Sequence, residues 1–403
     1  MAIEVGLLAS LVGRYTNSVV NEQANLAAPL LGKGVIKKIN KPDKVGIVNI
    51  KAGELASAKF LADGASLPQG RDLRPVQGTY LPVALFERIR IPRLAAMLAS
   101  STDDGVDIVK EQMDTAGQTL GRMLERGILG SQIGAPTAIV NAGSTTFTVA
   151  DVSPWRVGQA FEVWNGVTAI EGTSEATLLT VTAIAISEVG DSTITFSGSG
   201  GGGGNAVQWQ TTFAFFLRGS RDTGATLTSL ADVCNGTTTL YGVVGTSNEW
   251  SGNVDATAQP LTVGLLRQSI TTVVRRRGLK PKHLICNRKN EERYSNQLLN
   301  NRRFMSGTMD ARGSADVEIE GIPLFLTENM GDSEAILFQP EDVKLHVFRD
   351  FAPDFDGKAS KGMNAGAMMV SDQEFVYDVQ VWGAFQLRAE RRNGCLRYSG
   401  LNG

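Results

Sequence analysis

Two histidines, three cysteines and a run of three arginines are the side chains of this 403-residue sequence with the most to offer chemically. His283 and His346 each sit inside a strand-like alternation between apolar neighbours, where an imidazole is held by the fold rather than poised for catalysis. Cys234, Cys286 and Cys395 are odd in number and widely separated, so no disulfide framework is expected and a reducing cytoplasm fits. No His or Cys pair has zinc-ligand spacing. The sequence has no GxSxG elbow and no HExxH, and no Lys-Ser or Lys-Thr follows the glycine run Gly200–Gly204, which reads as a flexible turn. The carboxylate pairs Glu291–Glu292 and Asp103–Asp104 fall where helix ends and solvated faces favour them. Arg275, Arg276 and Arg277 form the densest basic patch, helped by Arg302 and Arg303. At a helix C-terminus they complement the dipole. The alternative is pairing with carboxylates of a second subunit, or loose contact with nucleic acid. No catalytic, metal or cofactor constellation can be assembled, and no enzyme is expected.

A net charge of −2 with 42% hydrophobic residues excludes a polybasic nucleic-acid binder, so any contact with DNA should be weak and independent of its sequence. No apolar run reaches the roughly 18 residues that span a bilayer. The N-terminal MAIEVGLLASLVGR has an apolar patch but lacks the positive leader of a signal peptide.

The elements that must carry these residues are legible from periodicity. From Phe375 to Glu390 every odd position up to Ala389 is apolar except Gly383, which predicts one long strand with a single buried face, about 50 Å from end to end. Few compact enzymes need such a strand. Val106, Val109, Met113, Ala116, Leu120 and Met123 predict a helix over about 104–129, with Ser100, Ser101 and Thr102 offering cap oxygens and Gly127 and Gly130 stopping it. Val45, Ile47 and Ile50 lead into a polar stretch, 61–75, and Val76, Tyr80, Val83 and Leu85 lead back, the pattern of a ribbon with a long tip. Residues 1–44 read as an extended arm with one short helix over Val5, Leu8, Leu11, Tyr15 and Val19. Between Ala135 and Phe216 the chain has no lysine, and short strand signals at 146–149, 160–164, 178–186, 192–196 and 206–210 alternate with turns. That regularity predicts a small all-β barrel or sandwich inserted into a mixed α+β context. Further on, Val263, Leu266, Ile270, Val273 and Val274 predict a helix ended by Gly278. His283–Cys286 reads as a buried strand, Asn287 as the cap of a helix over 288–301, and 317–326, 335–338 and 343–348 as strands.

This order of elements resembles the major capsid protein of tailed double-stranded DNA bacteriophages, of the Hong Kong 97-type fold. ADGASLPQG (62–70) with PVALFERIRIP (82–92) is similar to the family's extended loop and its return. LERGILGSQIGAP (124–136) is similar to the end of its spine helix, and HLICNRKNEERY (283–294), GIPLFLTENM (321–330) and VQVWGAFQLRAERRNG (379–394) follow in family order. The resemblance covers about 45–134 and 225–400 and leaves out the β insertion.

It implies an N-terminal arm (1–44), an extended loop (45–92), the spine helix of a peripheral domain (93–134) and an inserted β domain (135–216). An axial domain with returning strands (217–345) and a long peripheral-domain strand with the C-terminus (346–403) complete it. The loop tip, with Asp63, Gln69, Arg71, Asp72 and Arg74, would rest on the adjacent subunit, and the arm would lace between subunits. The partners implied are further copies as hexamers and pentamers, a portal, a decoration protein and packaged double-stranded DNA, with no membrane; the location is the virion, assembled in host cytoplasm. Some members cross-link through a loop lysine, but 61–75 has none, so no isopeptide chemistry is expected. Only about 44 residues precede the loop, so a separate scaffolding protein is expected, with Met1 or Ala2 as the mature start. An encapsulin-type nanocompartment shell is the alternative within the same fold.

Overall fold

The computed structural model describes residues 17–40, 46–50, 76–92, 103–130, 137, 145–149, 152, 155–165, 168–171, 179–187, 191–197, 214–217, 227–236, 239–245, 250–298, 318–319, 321–353, 368–370 and 376–401. Helix α1 is Asn17–Ala27, α2 Pro29–Gly32, α3 Asp103–Leu129, α4 Leu230–Cys234, α5 Val263–Arg277 and α6 Arg288–Leu298.

The first sheet is built on the long strand. It contains β1 (Lys37–Asn40), β4 (Val83–Pro92), β16 (Val343–Pro353), β17 (Met368–Val370) and β18 (Val376–Ala389). β18 is flanked by β16 and β17 on one side and by β4 on the other, and β1 adds in parallel to β16. The expected strand is therefore present. Val381, Phe385, Leu387 and Ala389 are buried as the alternation requires, and each large apolar side chain among them stabilises by about 1.5–3 kcal/mol. The single buried face is corrected. Ala384 and Gln386 point the other way and are also buried, because Gln386 accepts from the Thr228 amide at 2.7 Å and donates to the Leu81 carbonyl at 3.1 Å.

Helix α3 lies within one residue of the expected span. Met113, Ala116, Leu120, Leu124 and Ile128 are buried at helical spacing, and Gly130 closes the helix in the left-handed region at φ 64°. The 1–44 arm is corrected over its described part. Val20, Ala24, Ala28, Leu30, Leu31, Val35 and Ile36 belong to the same apolar core as α3 and β18. Residues 17–40 are thus part of their own subunit, and the expected helix over residues 5–19 lies mostly outside the described residues. What seats α1 is a pair of glycines: a Cβ at Gly121 would stand 2.2 Å from the Ala24 carbonyl oxygen, and one at Gly117 3.0 Å from that of Val20.

A second sheet runs β11 (Asn253–Asp255), β19 (Leu396–Tyr398), β15 (Ala335–Phe338), β12 (His283–Cys286), β14 (Ile322–Leu326), β13 (Glu318–Ile319). Helix α5 covers it through Leu265, Leu266, Ile270 and Val273, capped by Thr262 at its start and by Gly278 at φ 76° at its end. Asn287 caps α6 as expected, accepting from the Asn290 amide at 2.9 Å. The boundary at 345/346 is corrected, because β16 is one strand from Val343 onward and begins after the turn at Gln339–Asp342. The C-terminal segment is corrected too, since β19 joins the second sheet and leaves the long strand behind.

The inserted segment forms its own sheet: β10 (Ala214–Leu217), β6 (Ala160–Asn165), β8 (Leu179–Ala185), β9 (Ser192–Ser197) and β5 (Thr146–Val149), with β7 (Thr168–Glu171) on β6. Its core is separate and aromatic, with Phe147 stacked on Phe215 at 4.5 Å, Trp155 and Phe161 edge-on to Phe215, and Phe196 edge-on to Phe161. Strands β7 and β10 were not anticipated, and the expected strand at 206–210 lies outside the described residues.

Candidate functional site

The expected ribbon has a root with a regular ladder. β2 (Gly46–Ile50) and β3 (Val76–Tyr80) pair antiparallel from Gly46↔Tyr80 to Ile50↔Val76. Two isolated strands are marginal in water, so the root needs anchoring, and Val48, Ile50 and Tyr80 supply it by joining the subunit's main core. The Tyr80 hydroxyl meets His346 Nδ1 at 2.6 Å, and burial pushes its pKa up to about 12. His346 is therefore the held strand histidine expected from the sequence. His283 is the other, set between Phe325 and Phe338, with burial lowering its pKa and keeping it neutral.

Sequence reasoning missed the residue that ties this root to the long strand. Tyr241 and Gly242 have φ of 55° and 79° inside the bridge Leu240↔Val243, a tight turn with both central residues left-handed. A tyrosine in that region is strained. Its contacts compensate: the carbonyl accepts from the Thr79 amide at 3.3 Å, while the hydroxyl donates to the Leu387 carbonyl at 2.7 Å and accepts from the Ala389 amide at 3.1 Å. β4 pairs with β18 only as far as Phe385. Beyond that point one phenol continues the ladder, and it carries the ribbon root with it. The Tyr-Gly pair was the only local signal.

Glu125 of α3 was also missed. It is fully buried, accepting from the Leu30 amide at 3.3 Å and from the Thr327 hydroxyl. One carboxylate thus joins the long helix to α2 and to the loop after β14. Burial raises its pKa, against hydrogen bonds from Thr327, Asn329 and Leu30 and the charge of Arg126, which lower it. A carboxyl whose folded pKa is raised contributes most below its unfolded value near 4.3, and that contribution is lost as pH rises through the folded pKa. Glu125→Gln should therefore flatten the pH dependence of stability while staying within about 1 kcal/mol of the parent at low pH. Glu125→Leu, which orphans the Leu30 amide, should cost about 2–4 kcal/mol. Urea unfolding at about pH 5 and about pH 8 checks both, and an unchanged slope in the Gln variant would contradict the assignment.

Of the arginines singled out, Arg275, Arg276 and Arg277 share the last turn of α5. Arg277 forms a bidentate pair with Asp342 of its own chain, Nε to Oδ2 and Nη2 to Oδ1 both at 2.8 Å, with both side chains nearly buried. Arg275 and Arg276 are exposed. Arg276 borders a polar groove of about 460 Å³ shared with Gln268, Thr272, Asn235, Ser251 and Asp255. Asp63, Gln69, Arg71, Asp72 and Arg74, and likewise Arg302 and Arg303, lie outside the described residues.

The first sheet also keeps an open apolar face. Phe86 is 62% exposed and lies opposite Trp382, with ring centroids 6.0 Å apart, and Arg349 stacks over the Trp382 ring at 3.8 Å. Alternation alone could not have distinguished this uncovered end from the end that Tyr241 covers. Among the described residues no group of three or more His, Cys, Asp or Glu could hold a metal ion, and no helix is long and apolar enough to cross a membrane.

No protein-family model and no curated protein matches the sequence. Solved structures do match. The cyanophage A-1(L) capsid asymmetric unit is 10% identical, with 93% of each chain covered and a TM-score of 0.53. The capsid of a native GTA particle is 9% identical over 94% of this chain and 90% of that one, with a TM-score of 0.48. The holo-SrpI encapsulin complex of Synechococcus elongatus PCC 7942 is 8% identical over 93% and 89%, with a TM-score of 0.45. The match to the cyanophage capsid runs nearly end to end in both chains, and the fold of this chain is the Hong Kong 97-type capsid fold.

Proposed function

We propose that this chain is the major capsid protein of a tailed double-stranded DNA bacteriophage, a structural subunit whose copies close an icosahedral shell around the genome. The observation that carries the reading is the near full-length fold match to a phage capsid subunit. The subunit's own construction supports it. The first sheet, the long helix α3 and the ribbon root share one apolar core, and the Tyr241 phenol pins the root to the long strand. In this reading the first sheet with α3 is the peripheral domain, the second sheet with α5 is the axial domain, and the aromatic sheet is an insertion facing outward. Asp63, Gln69, Arg71, Asp72 and Arg74 contact the adjacent subunit. Arg275, Arg276, Arg302 and Arg303 serve inter-subunit pairing or loose contact with packaged DNA, and Arg277 braces its own subunit. Hexamers and pentamers assemble in host cytoplasm with a separate scaffolding protein and a portal, and with a decoration protein on the finished virion.

Replacing 61–75 by a short Gly-Ser bridge tests the division of labour. The ribbon root is held by Val48, Ile50, Tyr80 and Tyr241 within the subunit, so the urea midpoint should move by less than about 1 kcal/mol equivalent. Closed shells should be lost, which electron micrographs of the assembly reaction would show. Shells forming as readily as with the parent would contradict the role of the loop. Shells filled with protein cargo and free of DNA would favour the encapsulin alternative.

A further inference from the structure

Cys234 ends α4 and Cys395 immediately precedes β19, far apart in the sequence but together in one core. Both are free and buried. Three sets of contacts hold their backbones side by side. Arg392 donates to the carbonyls of Asp232, Val233 and Asn235, which flank Cys234, and its own carbonyl accepts from the Cys395 amide at 3.0 Å. Asn253 Nδ2 donates to the Cys395 carbonyl at 3.0 Å. Gly252 closes the other side, where a Cβ would stand 2.3 Å from the Cys234 carbonyl oxygen. The side chain of Cys234 and burial together raise the Cys395 thiol well above its ordinary pKa, and both cysteines act on the pKa of Arg392, as neighbours in one core do. Cys286 is equally buried, but it lies on β12 in a different core cluster.

We propose that Cys234 and Cys395 are a dithiol that a peroxide converts to a single intrachain disulfide, leaving Cys286 as a thiol. In that step one S–S bond forms between the two Sγ atoms and both S–H bonds break. The two sulfurs are oxidised together by two electrons, and hydrogen peroxide is reduced to two waters, which take up the two protons. The reaction is slow in the native protein, because both sulfurs are buried and thiolate is the reactive form. Once formed, the bond ties α4 to the C-terminal segment and closes a loop that contains α5, α6 and the long strand. A loop of that length constrains the unfolded chain strongly.

The test is to treat the purified full-length protein with hydrogen peroxide, denature it, alkylate and count thiols, then map peptides without reduction. The expected result is a fall from three free thiols to a single one at Cys286, a Cys234–Cys395 linked peptide lighter by two hydrogens, and a raised Tm that reductant reverses. Cys286→Ser should leave the linkage intact, while Cys234→Ser and Cys395→Ser should each abolish it. Thiol counting on the parent protein needs no variant to fold. Three thiols remaining after prolonged oxidation, separate sulfinic acids on the two residues, or a linkage through Cys286 would each overturn the proposal.

Discussion

Arg392→Met is expected to remove about 3–5 kcal/mol of stability, a large share of the roughly 5–15 kcal/mol that holds a domain together. Arg392 is fully buried, which is rare for an arginine and costly unless every donor is used. Here Nε donates to the Val233 carbonyl at 3.1 Å and Nη2 donates to those of Asp232, at 2.9 Å, and Asn235. The carbonyls of Val233 and Asn235 are the last but one of α4 and that of its cap, groups that a five-residue helix leaves without intrahelical partners, while that of Asp232 also accepts from the Asn235 amide at 3.2 Å. The side chain also lies 5.6 Å from the Trp250 ring centroid. Burial lowers its pKa while Cys234, Asp232, Tyr241 and Cys395 raise it, and the guanidinium remains a cation at neutral pH. Methionine fills much of the volume, so the loss reports the orphaned carbonyls. Arg392→Lys keeps the charge but not the planar fork and should lose about half as much. Urea unfolding of the dispersed subunit measures both, and a loss below about 1 kcal/mol for the methionine variant would show that water satisfies these carbonyls equally well.

Gly121→Ala is expected to destabilise by about 2–3 kcal/mol, although helix propensity alone favours alanine by about 1 kcal/mol. The two effects have opposite signs, so the outcome decides which wins. A Cβ at 121 would meet not only the Ala24 carbonyl oxygen at 2.2 Å but its Cα at 2.7 Å. Both are backbone atoms of a helix and cannot swing aside. Helix α1 must move off α3, uncovering Val20 and Ala24, and protease should then cut within 17–40 of the variant much faster than of the parent. A stabilised, protease-resistant variant would mean that α1 does not dock as described.

The same glycine shows why part of the fold was not legible in the sequence. The long strand and the long helix announce themselves, because each repeats its period through many residues and each covers a continuous core. Gly121 and Gly117 look like helix-weakening residues until Val20 and Ala24 are set against them, and the two segments lie far apart in the chain. An apolar pattern in 17–40 says that the segment is buried but not whose core buries it, so it read as an arm. Arg277 suited the helix dipole so well that its bidentate partner Asp342 left no local trace. Tyr241 carries a signal only as an unusual Tyr-Gly turn, and Glu125 reads as an ordinary carboxylate on a helix. Each gets its role from contacts made across the fold, whereas His346, buried, and His283, half-buried, were legible as strand residues from their neighbours alone.

The measurement that most directly tests the assembly of this chain into a shell is sedimentation velocity of the purified full-length protein, with electron micrographs of the same sample. Closed shells of hundreds of subunits, or free hexamers and pentamers that close when scaffold is added, are expected. A 43.0 kDa monomer that persists at high concentration, with scaffold and crowding agent present, would contradict it.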